Sequence, residues 1–264
     1  MVYIIIIQAR MGSTRLPGKV LKKLLDKEII LWSYDRCIKS KADEVFIATS
    51  INKENDILEE LCISKGIKYY RGSEMDLLDR YYQLSKQYYE QFCVENKDII
   101  KCKSDLKIIR ITSDCPFIDN IIIDEMIDFY NNNNNNNNNK NKNNNKINYI
   151  INHNKDAITP EGSCVEIIDF ASLEYLWNIE TDIAFREHAT GLLSTMNKYN
   201  DIIKIHKYAY LPDKHIIDYD KMKYIKVSID TQIDYENALQ IVNLFNNYDF
   251  TYLELLIYLE DRIK

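Results

Sequence analysis

The chain has 264 residues, 46% hydrophobic and 28% charged, enough to bury one sizeable core, and it reads as a single α/β domain with insertions. Its formal net charge of -6 disfavours nonspecific nucleic-acid binding but leaves room for a local basic site holding a phosphorylated small molecule. The opening apolar run, Val2 to Ile7, is too short to span a bilayer and has no basic segment before it, so neither a membrane anchor nor a secretory signal is expected. Six cysteines, Cys37, Cys62, Cys93, Cys102, Cys115 and Cys164, form no CxxC pair, the usage expected of reduced thiols in the cytoplasm.

In chain order, β-branched or aromatic runs at Tyr3–Ile7, Val45–Thr49, Lys68–Tyr70 and Ile108–Thr112 are separated by helical patterns. That alternation predicts βαβ units and a largely parallel sheet. Ile30, Leu31, Tyr34 and Ile38 share one helical face, as do Ile57, Leu58 and Leu61. Leu77, Leu78, Tyr81 and Leu84 repeat the pattern, and Tyr235, Leu239 and Val242 do so near the end, each stripe suited to covering the sheet. Two stretches interrupt this order. Residues 88–105 are polar and broken in pattern, and residues 131–146 open with an unbroken Asn run and are dominated by Asn and Lys. Both are expected to project as surface insertions, the second disordered, between a helix ending near Tyr130 and a strand starting near Ile147.

The first run ends in Gln8-Ala9-Arg10-Met11-Gly12-Ser13-Thr14-Arg15-Leu16-Pro17-Gly18-Lys19. In an open α/β sheet, ligands bind at the carboxyl ends of strands, and amides freed by Gly12 and Ser13 can face phosphate oxygens beside three cations. A P-loop does not fit: five residues separate Gly12 from Gly18, and Val20 stands where a metal-binding hydroxyl belongs. The run Ile108–Thr112 leads into Ser113-Asp114-Cys115-Pro116, which places a carboxylate where a divalent cation can sit beside phosphates. Capping of the next helix is the alternative role for Asp114. Val227-Ser228-Ile229-Asp230 is read as another short strand ending in a carboxylate, and the two carboxylates could share one magnesium ion. Arg71, Arg80, Glu166, Arg186 and His188 are further polar candidates, each with a plain structural alternative.

Taken together, IIQARMGSTRLPGKVL, RGSEMDLLDRYY, RITSDCPFID, EGSCVEI, REHAT and VSIDTQIDYENA resemble the SpsF-like cytidylyltransferases, which group with the synthetases of CMP-activated sugar acids, the acylneuraminate type included. The resemblance covers nearly the whole chain outside the two insertions. It implies the nucleotide-diphospho-sugar transferase fold, a three-layer α/β/α sandwich with a mixed, mostly parallel sheet. It further implies a reaction in which a sugar acid attacks CTP with Mg2+ as cofactor, and it suggests a homodimer. By position, it puts Arg10, Gly12, Ser13, Arg15 and Lys19 around the triphosphate, Arg15 and Lys19 as the catalytic cations, and Gln8 and Ala9 near the base. Asp114 and Asp230 become the metal ligands. Arg71 and Arg80 line the nucleotide pocket, and Glu166, Arg186 and His188 the sugar pocket. Ser113 stands where the family usually has Gly, and Gln232-Ile233-Asp234 replaces its usual Pro-Glu-Asp.

Two other readings stay open on the residues alone. Asp218-Tyr219-Asp220 has the Asp-x-Asp form of a glycosyltransferase that consumes a nucleotide-sugar, and a catalytically silent nucleotide-binding protein would keep the basic loop without the reaction.

Overall fold

Four consecutive isoleucines, Ile4 to Ile7, sit in the middle of a strand whose residues from Val2 to Ile7 are all buried. A strand this apolar on both faces belongs at the centre of a sheet covered on both sides. The computed structural model describes residues 1–95, 102–135, 148–152, 160–191, 193, 195, 197–208, 221 and 224–262. In it, β1 (Val2–Gln8) is flanked by β4 (Glu44–Ser50) and β6 (Leu106–Thr112), both parallel to it. β5 (Tyr69–Gly72) continues the parallel run beyond β4. On the other side β8 (Glu166–Asp169) lies antiparallel to β6, followed by β7 (Tyr149–Ile151) and β9 (Ile205–Lys207), giving the order β5-β4-β1-β6-β8-β7-β9. A hairpin of β2 (Lys23–Leu24) and β3 (Lys27–Glu28) stands apart from this sheet.

Side chains alternate across β1, so its residues divide between two cores. Tyr3, Ile5 and Ile7 pack with α1 (Ile29–Cys37), α2 (Asp56–Lys65), α4 (Asn120–Asn135), α7 (Gln232–Phe245) and α8 (Tyr252–Glu260). Val2, Ile4 and Ile6 pack with α3 (Leu77–Glu95), α5 (Phe170–Ile179) and α6 (Ile183–His188). The result is the three-layer α/β/α sandwich with a mixed sheet that the sequence implies. The chain leaves β1 for β4 and β5 on one side and returns to β6 on the other. That reversal opens a crevice at the carboxyl ends of β1 and β6.

Three sequence expectations need correction. Residues 88–95 are the last turns of α3: Tyr81, Leu84, Tyr88 and Phe92 follow one helical stripe, and Tyr88, Tyr89, Phe92 and Cys93 pack on the core. Helix α4 continues to Asn135, and Tyr3 Oη donates to Asn131 Oδ1 at 2.8 Å. The first expected insertion ends in the 3-10 turn Lys103–Asp105 that leads into β6; its middle, 96–101, and residues 136–146 of the second lie outside the described residues, as does Asp218-Tyr219-Asp220. Residues 227–230 form an extended strap outside the sheet, because their backbone bonds go to single residues: Val227 and Ser228 donate to the Glu161 carbonyl and Ile229 to that of Asp114. No helix among the described residues is long and apolar enough to cross a membrane.

Candidate active site

The crevice at the switch between β1 and β6 holds a cleft of about 310 Å³, at the lower end of the size range of small-molecule sites. It is lined by Gln8, Ala9, Arg10, Gly12, Ser13, Arg15, Lys19, Arg80, Asp114, His188 and Asp230 of the predicted residues. The loop from Ala9 to Lys19 is pinned at both ends. Met11 N–H donates to the buried side chain of Asn55 at 2.8 Å, and Asn55 in turn donates to Ser50 Oγ at 2.8 Å. Leu16 and Val20 are buried in the core, and Gly18 takes a left-handed φ of 66° as the chain turns into the 3-10 segment Lys19–Leu21. One expected donor is already engaged, since Ser13 N–H turns back to the Met11 carbonyl at 2.9 Å.

Arg15 and Lys19 play different parts in this geometry. The Arg15 side chain is 65% exposed and that of Lys19 only 11%, so Arg15 sits on the rim and Lys19 inside. Lys19 Nζ lies 2.7 Å from Asp114 Oδ2, 3.0 Å from Asp230 Oδ1 and 2.8 Å from the Ile229 carbonyl. Arg15 reaches the same Asp230 oxygen at 2.9 Å, and Lys226 approaches its other oxygen at 3.2 Å. Burial works to raise the Asp230 pKa, but the bonds and charges of Lys19 and Lys226 prevail and hold it below the ordinary carboxylate value. Asp114 does not cap the next helix: Asp119 does, accepting from Ile121 N–H at 2.7 Å.

The strap that carries Asp230 is held by residues that sequence reasoning did not single out. Asp234 accepts from the backbone of Asp230 at 3.0 Å and of Thr231 at 2.8 Å, closing a capping box at the start of α7. The Thr231-x-x-Asp234 spacing is its sequence signal. On the other side Gly162, at φ 106°, presses on the strap so closely that a Cβ there would fall 2.4 Å from Ser228 N. Glu74 also lines the cleft, 3.3 Å from Arg10.

Three predicted residues do not reach the cleft lining. Arg71 bonds Asp56 at 2.7 Å, Glu59 and the Ser50 and Asn52 carbonyls, tying β5 to the start of α2. Arg186 bonds Asp76 at 2.7 Å and the Trp177 and Glu180 carbonyls, joining α6 to α5 and to the loop before α3. Glu166 is buried and faces Arg110 across β6 and β8, with Tyr149 Oη at 3.0 Å and Thr190 Oγ1 at 2.6 Å on its second oxygen. A charge satisfied this completely belongs to the core. Arg110, which sequence reasoning passed over, was signalled by its place as a lone cation within Ile108-Ile109-Arg110-Ile111. Its Nε donates to Gln8 Oε1 at 3.0 Å. Arg80 is buried yet lines the cleft, with Nε on the Ser73 carbonyl at 2.9 Å, and burial lowers its pKa. His188 is exposed at the end of α6, just before Ala189 at a φ of 51°.

Residues 4–260 match the cytidylyltransferase family model. An uncharacterised protein of Methanocaldococcus jannaschii is 32% identical, the match covering 97% of this chain and 89% of that protein. The spore coat polysaccharide biosynthesis protein SpsF of Bacillus subtilis is 29% identical over 88% of this chain and 82% of its own. The structure of a cytidylyltransferase from Leptospira borgpetersenii superposes with a TM-score of 0.79 at 28% identity, covering 99% of this chain and 95% of that one. With the family matched over nearly the whole chain and the cleft lying where such a fold places it, this chain belongs to the cytidylyltransferase family and is a nucleotidyltransferase enzyme.

Proposed function

We propose that the chain transfers the cytidylyl group of CTP to a sugar acid, releasing pyrophosphate and yielding a CMP-sugar for polysaccharide or glycoconjugate synthesis. The observation that supports this most is the meeting of Lys19, Asp114 and Asp230 in one cleft, with Arg10 and Arg15 at its rim. Two carboxylates within 3.0 Å of a single cationic nitrogen are placed to share a divalent cation, for which the ammonium stands in. Hard oxygen donors of this kind suit Mg2+, which commonly takes one or two carboxylates and completes its shell with phosphate and water. Among the described residues no group of three or more candidate ligands gathers, which suits a metal that takes its remaining ligands from phosphate and water. A metal held by Asp114 and Asp230 would neutralise phosphate charge and lower the pKa of an attacking hydroxyl.

In this reading Lys19 leaves the two carboxylates and, with Arg15, neutralises charge on the departing pyrophosphate. Arg10, Gly12 and Ser13 hold the triphosphate, the Ser13 amide having to turn from the Met11 carbonyl to do so. Arg80 supports the nucleotide wall, Gln8 and Ala9 face the base, and His188 contacts the sugar acid. Nucleotidyl transfer of this type needs positioning and charge stabilisation rather than a protein nucleophile. Cys115 beside Asp114 fits that account, since burial, with the Asp114 charge, keeps its thiol well above the ordinary pKa. Family membership supports transfer from CTP over use of a nucleotide-sugar donor.

The test is pyrophosphate release from CTP, ATP, GTP and UTP against a panel of sugar acids with magnesium. CTP with one class of sugar acid should give turnover, and Asp114→Asn should lower it about a hundredfold, or ~3 kcal/mol of transition-state stabilisation. Consumption of a nucleotide-sugar without pyrophosphate release from any triphosphate would overturn the reading.

A further inference from the structure

Gln8 is the last residue of β1 and lines the cleft, and its side-chain amide is not free to choose its orientation. Arg110 Nε approaches it at 3.0 Å, and the Tyr81 hydroxyl lies 3.4 Å from the same Oε1 while donating to the Ile6 carbonyl at 3.0 Å. A guanidinium has donors only, so the face that Gln8 turns toward Arg110 must be its carbonyl oxygen. Its Nε2 group is thereby directed away from Arg110 and forms no hydrogen bond with any described residue. Arg110 is itself immobilised: it is directly opposite Glu166 in the β6–β8 pair and bonded to it, and Glu166 is 2% exposed and bonded on its other oxygen by Tyr149 and Thr190. The relay draws on five separate elements of the chain, which is more ordering than a solvent-facing glutamine requires.

We propose that Gln8 reads the base as a fixed hydrogen-bond donor, and that Arg110 and Glu166 are positioning residues that hold its amide in that sense. Resting on the CTP reading above, the inference is that Nε2–H meets the unprotonated ring N3 of cytosine. In uracil that nitrogen carries a hydrogen, so donor would face donor and the pairing fails.

The test is titration of the enzyme, with magnesium, by CTP, UTP and inorganic tripolyphosphate, which has no base. Gln8→Glu keeps the shape and the bond to Arg110 but offers no donor to the cleft. It should reduce the CTP-over-UTP affinity ratio roughly ten- to hundredfold, the range of one good base contact; any general weakening from the added charge is read from tripolyphosphate and cancels in that ratio. Arg110→Lys should retain most of the ratio. The paired change Arg110→Leu with Glu166→Leu removes both charges without stranding either, and should lose the ratio while the protein stays folded and still binds tripolyphosphate. An unchanged ratio in Gln8→Glu, or in the folded double variant, would overturn the proposal. Tighter binding of UTP than CTP by the unaltered enzyme would instead overturn the reading of the site on which it rests.

Discussion

Two ion-pair groups support the cleft, one in its lining at Lys19 and one in the core behind Gln8, and they are of opposite kinds. At the Lys19 end, one ammonium spans two carboxylates that solvent can reach, their side chains 25% and 16% exposed. At the Gln8 end, Arg110 pairs with a carboxylate 2% exposed, and further hydroxyls close the remaining valences. Burial on its own would weaken the Arg110 charge, yet Glu166, Tyr81, Cys164 and Tyr149 hold its pKa above the ordinary guanidinium value. The first pairing can be exchanged for another cation at modest cost, because water and counter-charges are at hand. The second cannot lose a member without stranding a buried charge. Similar residue types thus give a replaceable contact at one end and a rigid one at the other, with burial deciding which.

The sharpest way to break this comparison is to remove one carboxylate from each end. Glu166→Ala should lower stability by about 3–5 kcal/mol, read as a fall in the denaturant midpoint, because Arg110 is left buried and unpaired. Asp230→Asn should lower stability by clearly less, because Lys19 keeps Asp114 and the partners Arg15 and Lys226 can return to water, while turnover with CTP falls about a hundredfold. Equal stability losses in the two variants would erase the distinction. Next in size is Gly162→Ala. Its φ of 106°, and the 2.4 Å that would separate the added Cβ from Ser228 N, force the strap to move, costing about 1–3 kcal/mol. The expected signature is a loss of activity larger than that stability change explains, since the strap carries Asp230. The smallest effect sharpens the Lys19 end: Lys19→Met removes the competing ammonium, so nucleotide-free enzyme should bind Mn2+ about tenfold more tightly, as expected from losing charge-assisted bonds of roughly 1.5 kcal/mol. Electron paramagnetic resonance of free Mn2+ reads this directly, and weaker binding in the variant would mean that Lys19 supports the site rather than occupying it.

Acid pH probes the same end. Asp230 and Asp234 both sit below their ordinary value of 3.8; for each, burial opposes the shift and the bonds from lysine outweigh it, with backbone donors adding to it at Asp234. A depressed carboxylate contributes stability that is complete above the unfolded pKa and is lost as pH falls through the folded one. Anchoring of the strap should therefore survive down to about the ordinary value of 3.8 and fail below it, measurable as the pH dependence of the melting temperature in wild type and Asp234→Asn.

How much of this was legible in the chain depends on how local the cause is. The alternation of apolar runs and helical stripes located β1, β4, β5 and β6 to within two residues at each end, because parallel strands and their helices carry the periodicity themselves. The Arg10 to Lys19 loop was legible for the same reason, lying directly after a strand. The aromatic stripe running on through Tyr88 and Phe92 was also in the sequence, but the polar residues between its members obscured it.

What the sequence determined by itself was the alternation of strands and helices in a largely parallel sheet and the basic loop after its first strand, since these follow from patterning and from a motif a few residues long; the three layers came from the resemblance of several such motifs to one family. What only the tertiary structure decided was which charges share a neighbourhood. Lys19 meets Asp114 and Asp230 across 95 and 211 positions, and Glu166, Arg71 and Arg186 are turned to structural partners rather than to the cleft lining. Side-chain pairing of that range depends on sheet order and register, here the direct opposition of Arg110 and Glu166, and a carboxylate beside an arginine has the same letters in a core as it has in a site.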